Sequence, residues 1–312
     1  MKRPIYVVDA FTSQALRGNA AAVVLDGADL DERTMQRVAA EMKHSETVFA
    51  LPAQDPAATF HLRWFTPANE VRFCGHATLA AIRVLVDEVG RLRVHAGATV
   101  RTAFTCKAGL LRVELSRDAK RALHVRFETP RAAFEEAMVS AELLAALGLI
   151  PEALDPTVGP RQSAASHSAD GNLYLCVRDR QTLAKVKLDA RGLLDAARAQ
   201  KTGGVVVFTL APAEGVDAAV RAFFPGDGVD EDPVTGSAAG QLATLLQLVR
   251  PAELPRKLAF TQGTELGREG RIEIDLRPEV TPGDVRAWVG GEGTVVLRGE
   301  LDLRALVVEA TR

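Results

Sequence analysis

Long apolar runs are missing from this sequence, and cysteine is scarce. No stretch approaches the roughly 18 apolar residues that a membrane-spanning helix needs. Asp9 interrupts the first apolar stretch, so the core of a signal peptide is absent. The three cysteines, Cys74, Cys106 and Cys176, are odd in number and far apart, which argues against a disulfide framework and against a cysteine-based zinc site. We therefore expect a cytoplasmic protein without a membrane anchor.

A strong charge of one sign is also lacking. The 38 lysines and arginines nearly balance the 40 aspartates and glutamates, which leaves a formal net charge of −2. This balance gives no electrostatic reason to expect nucleic acid or an anionic membrane as a partner. The apolar content is that of an ordinary globular protein.

The chain is longer than a single hydrophobic core usually supports. Its 312 residues therefore favour two domains. Short strand-like segments alternate with a few helical ones, so we expect an α+β fold with mostly antiparallel strands. The predicted lobes cover residues 1–118 and 119–297, and a last strand at about 298–312 is expected to return to the first lobe. The clearest helices are predicted over 31–42, 77–89 and 237–248.

Two short stretches look like copies of one structural device. The first runs Arg63-Trp-Phe-Thr-Pro67 and then reaches Cys74-Gly75-His76 at the start of an apolar, helix-like segment. The second runs Arg221-Ala-Phe-Phe-Pro225 and then reaches Asp232-Pro-Val-Thr-Gly236-Ser237, again before an apolar segment. A helix N-terminus offers free backbone N–H groups and a positive dipole end, which bind carboxylates. Two such ends facing each other would form a cleft for a small acid.

Three polar residues near these helix starts are candidates for catalysis. Glu46 precedes an apolar strand, so partial desolvation would raise its pKa toward the range of a general acid/base; alternatively it is a solvated turn residue. Asp232 precedes a proline and either lines the cleft or caps the helix. His76 lies in a first helical turn, where the dipole favours a neutral imidazole; a single histidine in this position is more often structural than catalytic.

Cys74 admits two interpretations as well. It is either a thiol of low pKa near the helix start or a small buried apolar residue. A racemase with two thiols would need a second cysteine near 232–237, and none is present there. A metal site is not indicated, because Cys74 and His76 are two residues apart and no second pair stands at ligand spacing.

Seven motifs along the chain resemble those of one known family. In order, they are Asp9-Ala-Phe-Thr12, Gly18-Asn19-Ala-Ala-Ala-Val, Ser45-Glu46-Thr-Val-Phe49, Arg63-Trp-Phe-Thr-Pro67, Cys74-Gly-His-Ala-Thr-Leu-Ala80, Glu231-Asp-Pro-Val-Thr-Gly-Ser-Ala238 and Gln262-Gly-Thr-Glu-Leu-Gly-Arg268. The pattern is similar to that of the PhzF family of phenazine-biosynthesis-like proteins and covers nearly the whole chain. The resemblance implies a diaminopimelate-epimerase-like fold, with two pseudo-symmetric lobes that each curl a sheet around a central helix. It also implies a homodimer whose cleft works without cofactor or metal.

The same resemblance suggests a reaction and the residues that perform it. One family member isomerises trans-2,3-dihydro-3-hydroxyanthranilic acid by moving a proton within the ring. Glu46 would take the proton from one carbon and return it to another, while His76 and Asp232 would line the substrate and assist. The residues expected to contact the substrate are Asn19, Ser45, Gly75, Gly236 and Ser237.

The sequence therefore predicts a cofactor-independent isomerase acting on a small, cyclic carboxylic acid. Two alternatives stay open. One is an amino-acid epimerase or racemase that uses Cys74, recognisable by deuterium exchange at an α-carbon. The other is a small-carboxylate-binding protein without turnover, although the joint presence of Glu46, His76 and Asp232 argues against a decayed site.

Overall fold

The structure, a computed structural model, describes residues 2–163, 171–210, 215–281 and 284–304. Within them, the strands are β1 (Lys2–Ala10), β2 (Asn19–Leu25), β3 (Glu46–Pro52), β4 (Phe60–Phe65), β5 (Glu70–Val71), β6 (Thr99–Cys106), β7 (Gly109–Arg117), β8 (Leu123–Glu128), β9 (Phe134–Glu136), β10 (Arg161–Ser163), β11 (Asn172–Cys176), β12 (Gly204–Thr209), β13 (Ala218–Phe224), β14 (Val229–Asp232), β15 (Arg256–Gln262), β16 (Gly270–Pro278), β17 (Val285–Gly291) and β18 (Gly293–Asp302). The α-helices are α1 (Glu32–Met42), α2 (Gly75–Arg83), α3 (Ala141–Ala146), α4 (Arg180–Ala184), α5 (Ala190–Ala199) and α6 (Gly236–Val249). The predicted α+β class is confirmed.

The strands pair in two equivalent series. The first series runs β18, β1, β2, β3, β4, β6, β7, β8, and the second runs β9, β10, β11, β12, β13, β15, β16, β17. Parallel pairs recur at matching places, β2 with β3 and β4 with β6 in one series, β11 with β12 and β13 with β15 in the other. The other pairings are antiparallel, including β8 with β17, which joins the two series. This repetition is the structural counterpart of the repeated device in the sequence.

Each series of strands curls around one central helix. In α2 every residue from Gly75 to Ile82 is buried, and the helix packs on β1, β2 and β3. The helix α6 packs on β16 and β17. Both are apolar nearly all round, which is the pattern of a helix enclosed by other elements. Leu79 of α2 and Leu242 of α6 belong to one continuous apolar core.

The outer faces of the sheet are covered by the remaining long helices. On the first half, Met35 and Val38 of α1 pack with Phe49. On the second half, α3 and α5 supply Leu143 and Leu193 to a separate apolar cluster. Each of these three helices begins with an Asp or Ser side chain that accepts a backbone N–H of its first turn.

The end of the described chain lies beside its beginning. Strand β18 pairs antiparallel with β1, from Lys2 opposite Asp302 to Ala10 opposite Gly293. The predicted lobe boundary at residue 118 stays a prediction, and residues 305–312 of the predicted last strand lie outside the described residues. Within the described ranges, every helix is too short or too polar to cross a lipid bilayer.

Some elements were placed well from the sequence and others were missed. The helix predicted over 77–89 begins earlier, at Gly75, and changes to a π-helix over Val84–Glu88. Strands β6, β7 and β15 were not predicted, because their outward positions are polar or charged and only short alternation marks their buried face. The helix predicted over 237–248 corresponds to α6.

Candidate active site

The N-termini of the two central helices meet at their first residues. A Cβ atom added to Gly75 would lie 3.6 Å from the Cα atom of Gly236 and 3.0 Å from a ring carbon of Phe127. A Cβ atom on Gly236 would lie 2.9 Å from a ring carbon of Phe11. A side chain at either position would therefore have to displace a phenylalanine ring, while the 3.6 Å separation is an ordinary van der Waals contact between the two helix ends. No side chain caps either helix, so the first backbone N–H groups remain available to an anion.

A cavity of about 300 Å³ opens in front of these helix ends and is lined by both halves of the chain. Of the residues predicted from the sequence, it is lined by Ser45, Glu46, Gly75, His76, Asp232, Gly236 and Ser237. A larger depression of about 550 Å³ lies on the outer sheet around Arg126, Lys257 and Arg271, away from this group. The cavity between the helix ends is thus the place where the predicted residues come together.

Glu46 and His76 form an ion pair in which His76 is buried and Glu46 is partly exposed to the cavity. Glu46 stands at the first residue of β3 and His76 in the first turn of α2, and Glu46 Oε2 lies 3.1 Å from His76 Nε2. The contact does not have hydrogen-bond geometry, so this buried oxygen has no hydrogen-bond donor among the described residues. Ser45 Oγ lies 3.3 Å from the same nitrogen. The first residue of β3 therefore places the Glu46 carboxylate against the His76 ring and leaves Oε2 able to accept a further hydrogen.

The charge states expected for this pair from the sequence are wrong. Burial alone would raise the pKa of Glu46, but the positive charge of His76 and smaller contributions from neighbouring polar groups together outweigh it, and the pKa lies below its usual range. Burial would lower the pKa of His76, but the neighbouring Cys74 sulfur and Glu46 carboxylate raise it well above its usual value. A contact of 3.1 Å in a poorly hydrated site exceeds the effect of the helix dipole. Carboxylate and imidazolium are the resting forms.

The structure agrees with the second interpretation of Cys74, that of a small buried apolar residue. Its sulfur lies 3.5 Å from His76 Nδ1, and its side chain is almost completely enclosed. Burial and the negative charge of Glu46 raise the pKa of this thiol to about 11. The thiolate that nucleophilic or base chemistry needs is therefore rare at neutral pH.

The fold adds a third possible metal ligand that sequence spacing did not reveal. Ligand atoms of Glu46, Cys74 and His76 all lie within 4.8 Å of one another. Zinc accepts carboxylate, thiolate and neutral imidazole ligands, but three protein ligands would leave one position of its tetrahedral coordination open. The thiol and imidazolium protons would also have to leave first. The prediction of a metal-free site stays a prediction.

Asp232 is held by a set of hydrogen bonds from both halves of the chain. Its Oδ1 accepts from Asn19 Nδ2 at 2.8 Å, and its Oδ2 accepts from Thr235 Oγ1 at 2.5 Å. Gln262 Nε2 donates to the Asp232 carbonyl oxygen at 2.8 Å, while Gln262 Oε1 accepts from the Thr235 amide at 3.1 Å. Burial, which outweighs the positive charge of His76, raises the pKa of Asp232 to about 6.

Asn19 lies behind the cavity, and its predicted contact with the substrate stays a prediction. The residue is buried and is not part of the cavity lining. Its two amide hydrogens go to Asp232 Oδ1 at 2.8 Å and to the Val234 carbonyl oxygen at 3.0 Å. No hydrogen is left for His76 Nδ1, which lies 3.3 Å away. Asn19 therefore fixes Asp232 relative to His76.

Gln262 and Arg268, the first and last residues of one of the seven motifs, have structural roles that the sequence alone did not reveal. Gln262 fixes the turn between Asp232 and Thr235. The backbone carbonyl oxygen of Arg268 accepts a hydrogen bond from the Gly18 amide at 3.0 Å, and the side-chain Nε of Arg268 donates to the Gly18 carbonyl oxygen at 2.9 Å. Its Nη2 also binds Asp9 Oδ1 at 2.8 Å. The segment 262–268 thus fixes both partners of the Asn19–Asp232 contact: Gln262 binds Asp232, and Arg268 binds Gly18, which precedes Asn19.

The two copies of the repeated device carry matching ion pairs. Arg63 makes two hydrogen bonds to Glu70, each at 2.8 Å. Arg221 makes two to Glu231, at 2.8 and 2.7 Å. Bidentate pairs of this kind fix geometry as well as charge. Each pair holds the turn that precedes a central helix, and the sequence similarity therefore reflects equivalent construction.

Comparison with known proteins shows the family of this chain. A family model described as phenazine biosynthesis-like protein (PhzC-PhzF) matches residues 8–299. An uncharacterized isomerase from Halalkalibacterium halodurans is 34% identical over 302 residues, covering 96% of this chain and 99% of that protein. A crystal structure of a PhzF-family phenazine biosynthesis protein from Bacillus anthracis has a TM-score of 0.86 at 24% identity, covering 96% of this chain and 99% of that one.

A more distant structure shares the fold. A hydroxyproline epimerase from Agrobacterium vitis, solved with trans-4-hydroxy-L-proline, has a TM-score of 0.64 at 12% identity, covering 96% of this chain and 92% of that one. At that identity the likeness concerns the fold alone. It agrees with the epimerase-like architecture of two series of strands around two helices. The chain therefore belongs to the phenazine biosynthesis-like protein family, and at the level of that family it is an isomerase.

Proposed function

We propose that the protein is a cofactor-independent isomerase that moves a proton within a small cyclic carboxylic acid, with Glu46 as the general acid/base. The observation that carries this proposal is the Glu46–His76 pair, 3.1 Å apart, in a cavity at two abutting helix N-termini. A substrate similar to trans-2,3-dihydro-3-hydroxyanthranilate fits this arrangement, as the family resemblance implies. The helix ends at Gly75 and Gly236 receive its carboxylate.

The proton transfer follows from the charge states of the pair. Glu46 Oε2, which has no hydrogen-bond donor of its own, takes a proton from an activated C–H bond, and the electron pair shifts into the conjugated system. The imidazolium of His76 remains and compensates the negative charge that develops on the substrate. Glu46 then returns the proton to another carbon on the same face. One C–H bond breaks and another forms, so no redox partner is needed.

Asp232 completes the site from the second half of the chain. Its carboxylate, fixed by Asn19 and Thr235, accepts a hydrogen bond from a hydroxyl or amino group of the substrate and supports the imidazolium of His76. Asn19 acts through Asp232 and not on the substrate. We further propose a cytoplasmic homodimer, for which the three unpaired cysteines and the family resemblance are the supporting observations.

The epimerase alternative requires a reactive thiol. Cys74 has a pKa of about 11, and across the cavity stands Asp232 instead of a second cysteine. An epimerase of the two-thiol type is therefore disfavoured. A carboxylate-binding protein without turnover would not need the Glu46–His76 pair, whose partial desolvation is costly.

Proton NMR in D₂O tests the proposal with trans-2,3-dihydro-3-hydroxyanthranilate as the substrate. We expect a double-bond isomer with deuterium at one carbon, and Cys74→Ser should retain this activity within about tenfold, because Ser replaces a protonated thiol outside the proton path. Loss of nearly all turnover in Cys74→Ser, with its melting temperature unchanged, would favour the thiol epimerase. Tight binding of the substrate without any isotope exchange would favour the binding protein.

The pH dependence of kcat/KM should have one limb from each of two groups. Burial raises the pKa of Asp232 to about 6, so activity falls as the pH drops through about 6 and Asp232 becomes protonated. The pKa of His76 is raised well above 6.5, so activity falls on the alkaline side as the imidazolium is lost. Asp232→Asn should lower the rate and remove the acid limb but keep the alkaline one. An acid limb that is unchanged in Asp232→Asn would contradict this assignment.

A further inference from the structure

A buried glutamine outside the cavity lining faces the hydroxyl group of Thr235. Gln262 lies at the end of β15, whereas Thr235 stands directly before α6 and lines the cavity. Two backbone groups of known polarity contact the glutamine amide: the Thr235 N–H, 3.1 Å from Oε1, and the Asp232 carbonyl oxygen, 2.8 Å from Nε2. The reverse orientation would set donor against donor and acceptor against acceptor, so these two groups fix the amide in one orientation.

This orientation determines where the Thr235 hydroxyl group donates. Gln262 Nε2 carries two hydrogens, of which one goes to the Asp232 carbonyl oxygen and the other to Thr235 Oγ1, 2.9 Å away. Thr235 Oγ1 therefore accepts on the side of Gln262, and its own hydrogen is left for Asp232 Oδ2 at 2.5 Å. So short an O–H···O distance is typical of a hydrogen bond to a carboxylate.

The resulting chain of hydrogen bonds favours the charged form of Asp232. Its Oδ1 accepts from Asn19 Nδ2 at 2.8 Å, so each carboxylate oxygen has a donor. A proton on Oδ2 would displace the threonine hydrogen, which could not turn to Gln262 because a donor already stands there. Hydrogen bonds that only the carboxylate can receive oppose its protonation.

Two charged side chains on other elements act on Asp232 in opposite directions. Burial, the largest influence, raises its pKa, the positive charge of His76 lowers it, and the negative charge of Glu46 raises it. His76 lies in α2 and Glu46 in β3, apart from the strand that carries Gln262. Uncharged substitutions at positions 262 and 235 leave both charges in place, so the contribution of the hydrogen bonds can be measured by itself.

We propose that Gln262 is a positioning residue which, by directing the Thr235 hydroxyl group toward Asp232, keeps this carboxylate ionised and extends activity to lower pH. The inference rests on the proposed function in one respect, namely that the reaction needs Asp232 in its charged form. Gln262 does not touch the substrate, because it lies outside the cavity lining. It acts through Thr235.

Carbon-13 NMR measures the ionisation of Asp232 without turnover. The aspartate carboxyl carbons are labelled, and the Asp232 signal is identified by its loss in Asp232→Asn. In the wild-type protein it should titrate with a pKa of about 6. Thr235→Val lacks the hydroxyl group, so the ionisation constant should fall about tenfold or more, as expected when a charged group loses a hydrogen bond. Thr235→Ser keeps the hydroxyl group and should titrate like the wild type.

Gln262→Met tests the role of the glutamine, because methionine has a similar length but neither donates nor accepts as the amide does. The Thr235 hydroxyl group then rotates freely, and the ionisation constant of Asp232 should fall about threefold to tenfold. The same substitution added to Thr235→Val should cause no further fall. Gln241→Met is the matched control, since it removes a buried amide of α6 that does not line the cavity, and the pKa of Asp232 should stay at about 6.

The outcomes separate this inference from the proposed reaction. An unchanged pKa of Asp232 in folded Gln262→Met, or an equal change when this substitution is added to Thr235→Val, would overturn the role of Gln262. A change confined to the protein with Thr235 would establish it. If Gln262→Met does not fold, Thr235→Val decides: a wild-type pKa there overturns the inference and a raised one supports it. An acid limb of kcat/KM that stays in place while the NMR pKa moves would leave the role of Gln262 standing and remove Asp232 from the reaction.

Discussion

Replacement of Glu46 by glutamine should abolish turnover almost completely while leaving the protein folded and able to bind ligand. The amide has the shape of the carboxyl group but cannot accept the substrate proton. Loss of a positioned general acid/base corresponds to about a 10²–10⁴-fold decrease in kcat. The measurement is isotope incorporation and isomer formation by proton NMR in D₂O, with kcat and KM obtained separately.

Two variants make the Glu46 result specific. Glu41→Gln removes a carboxylate from the exposed end of α1, outside the cavity, and should leave kcat unchanged. Glu46→Asp keeps a base but withdraws it by one methylene, so its rate should fall between those of the wild type and Glu46→Gln. A Glu46→Gln protein that retained even a tenth of the wild-type kcat would show that another residue carries the proton.

Replacement of Gly18 by alanine should strongly destabilise the fold and inactivate the fraction of the protein that still folds. Gly18 has a φ of +62°, and a Cβ atom there would lie only 2.1 Å from the Ala10 carbonyl oxygen. The backbone cannot easily move away, because both the amide and the carbonyl of Gly18 are hydrogen-bonded to Arg268. We expect the free energy of unfolding to fall by about 3 kcal/mol, as the left-handed conformation alone costs roughly 1–2.

Gly97→Ala is the matched control for strain without crowding. Gly97 has a φ of +75°, but a Cβ atom there would meet nothing within 4 Å. Its free energy of unfolding should fall by only about 1 kcal/mol. Urea denaturation compares the two variants. Equal decreases in the free energy of unfolding of both variants would show that the contact with Ala10 does not matter. Full activity of Gly18→Ala would show that the hydrogen bonds between Gly18 and Arg268 do not position Asn19.

The repeated device was readable because its parts are local. Each copy consists of a strand, a turn and a helix start within about fifteen residues, as with Arg221 and Gly236. Turn formers and helix starts leave their marks at short range. The buried strands of the first half were found for the same reason, while β6 and β15 were not, since their burial depends on neighbours that are distant in sequence.

The chemistry of the site was only partly readable. Glu46 and His76 were identified as residues, but their charges follow from a contact of 3.1 Å between elements thirty residues apart. The roles of Asn19 and Gln262 depend on contacts across more than 200 residues and 30 residues respectively.

The sequence by itself determined the family, the α+β class and the two helix starts, because motifs and periodicity are properties of neighbouring residues. The tertiary structure decided the protonation states, the meeting of Gly75 with Gly236, and the place of Asn19 behind the cavity. These depend on burial and on distances between both halves of the chain, and electrostatic energies vary too steeply with either to be inferred from spacing along the sequence.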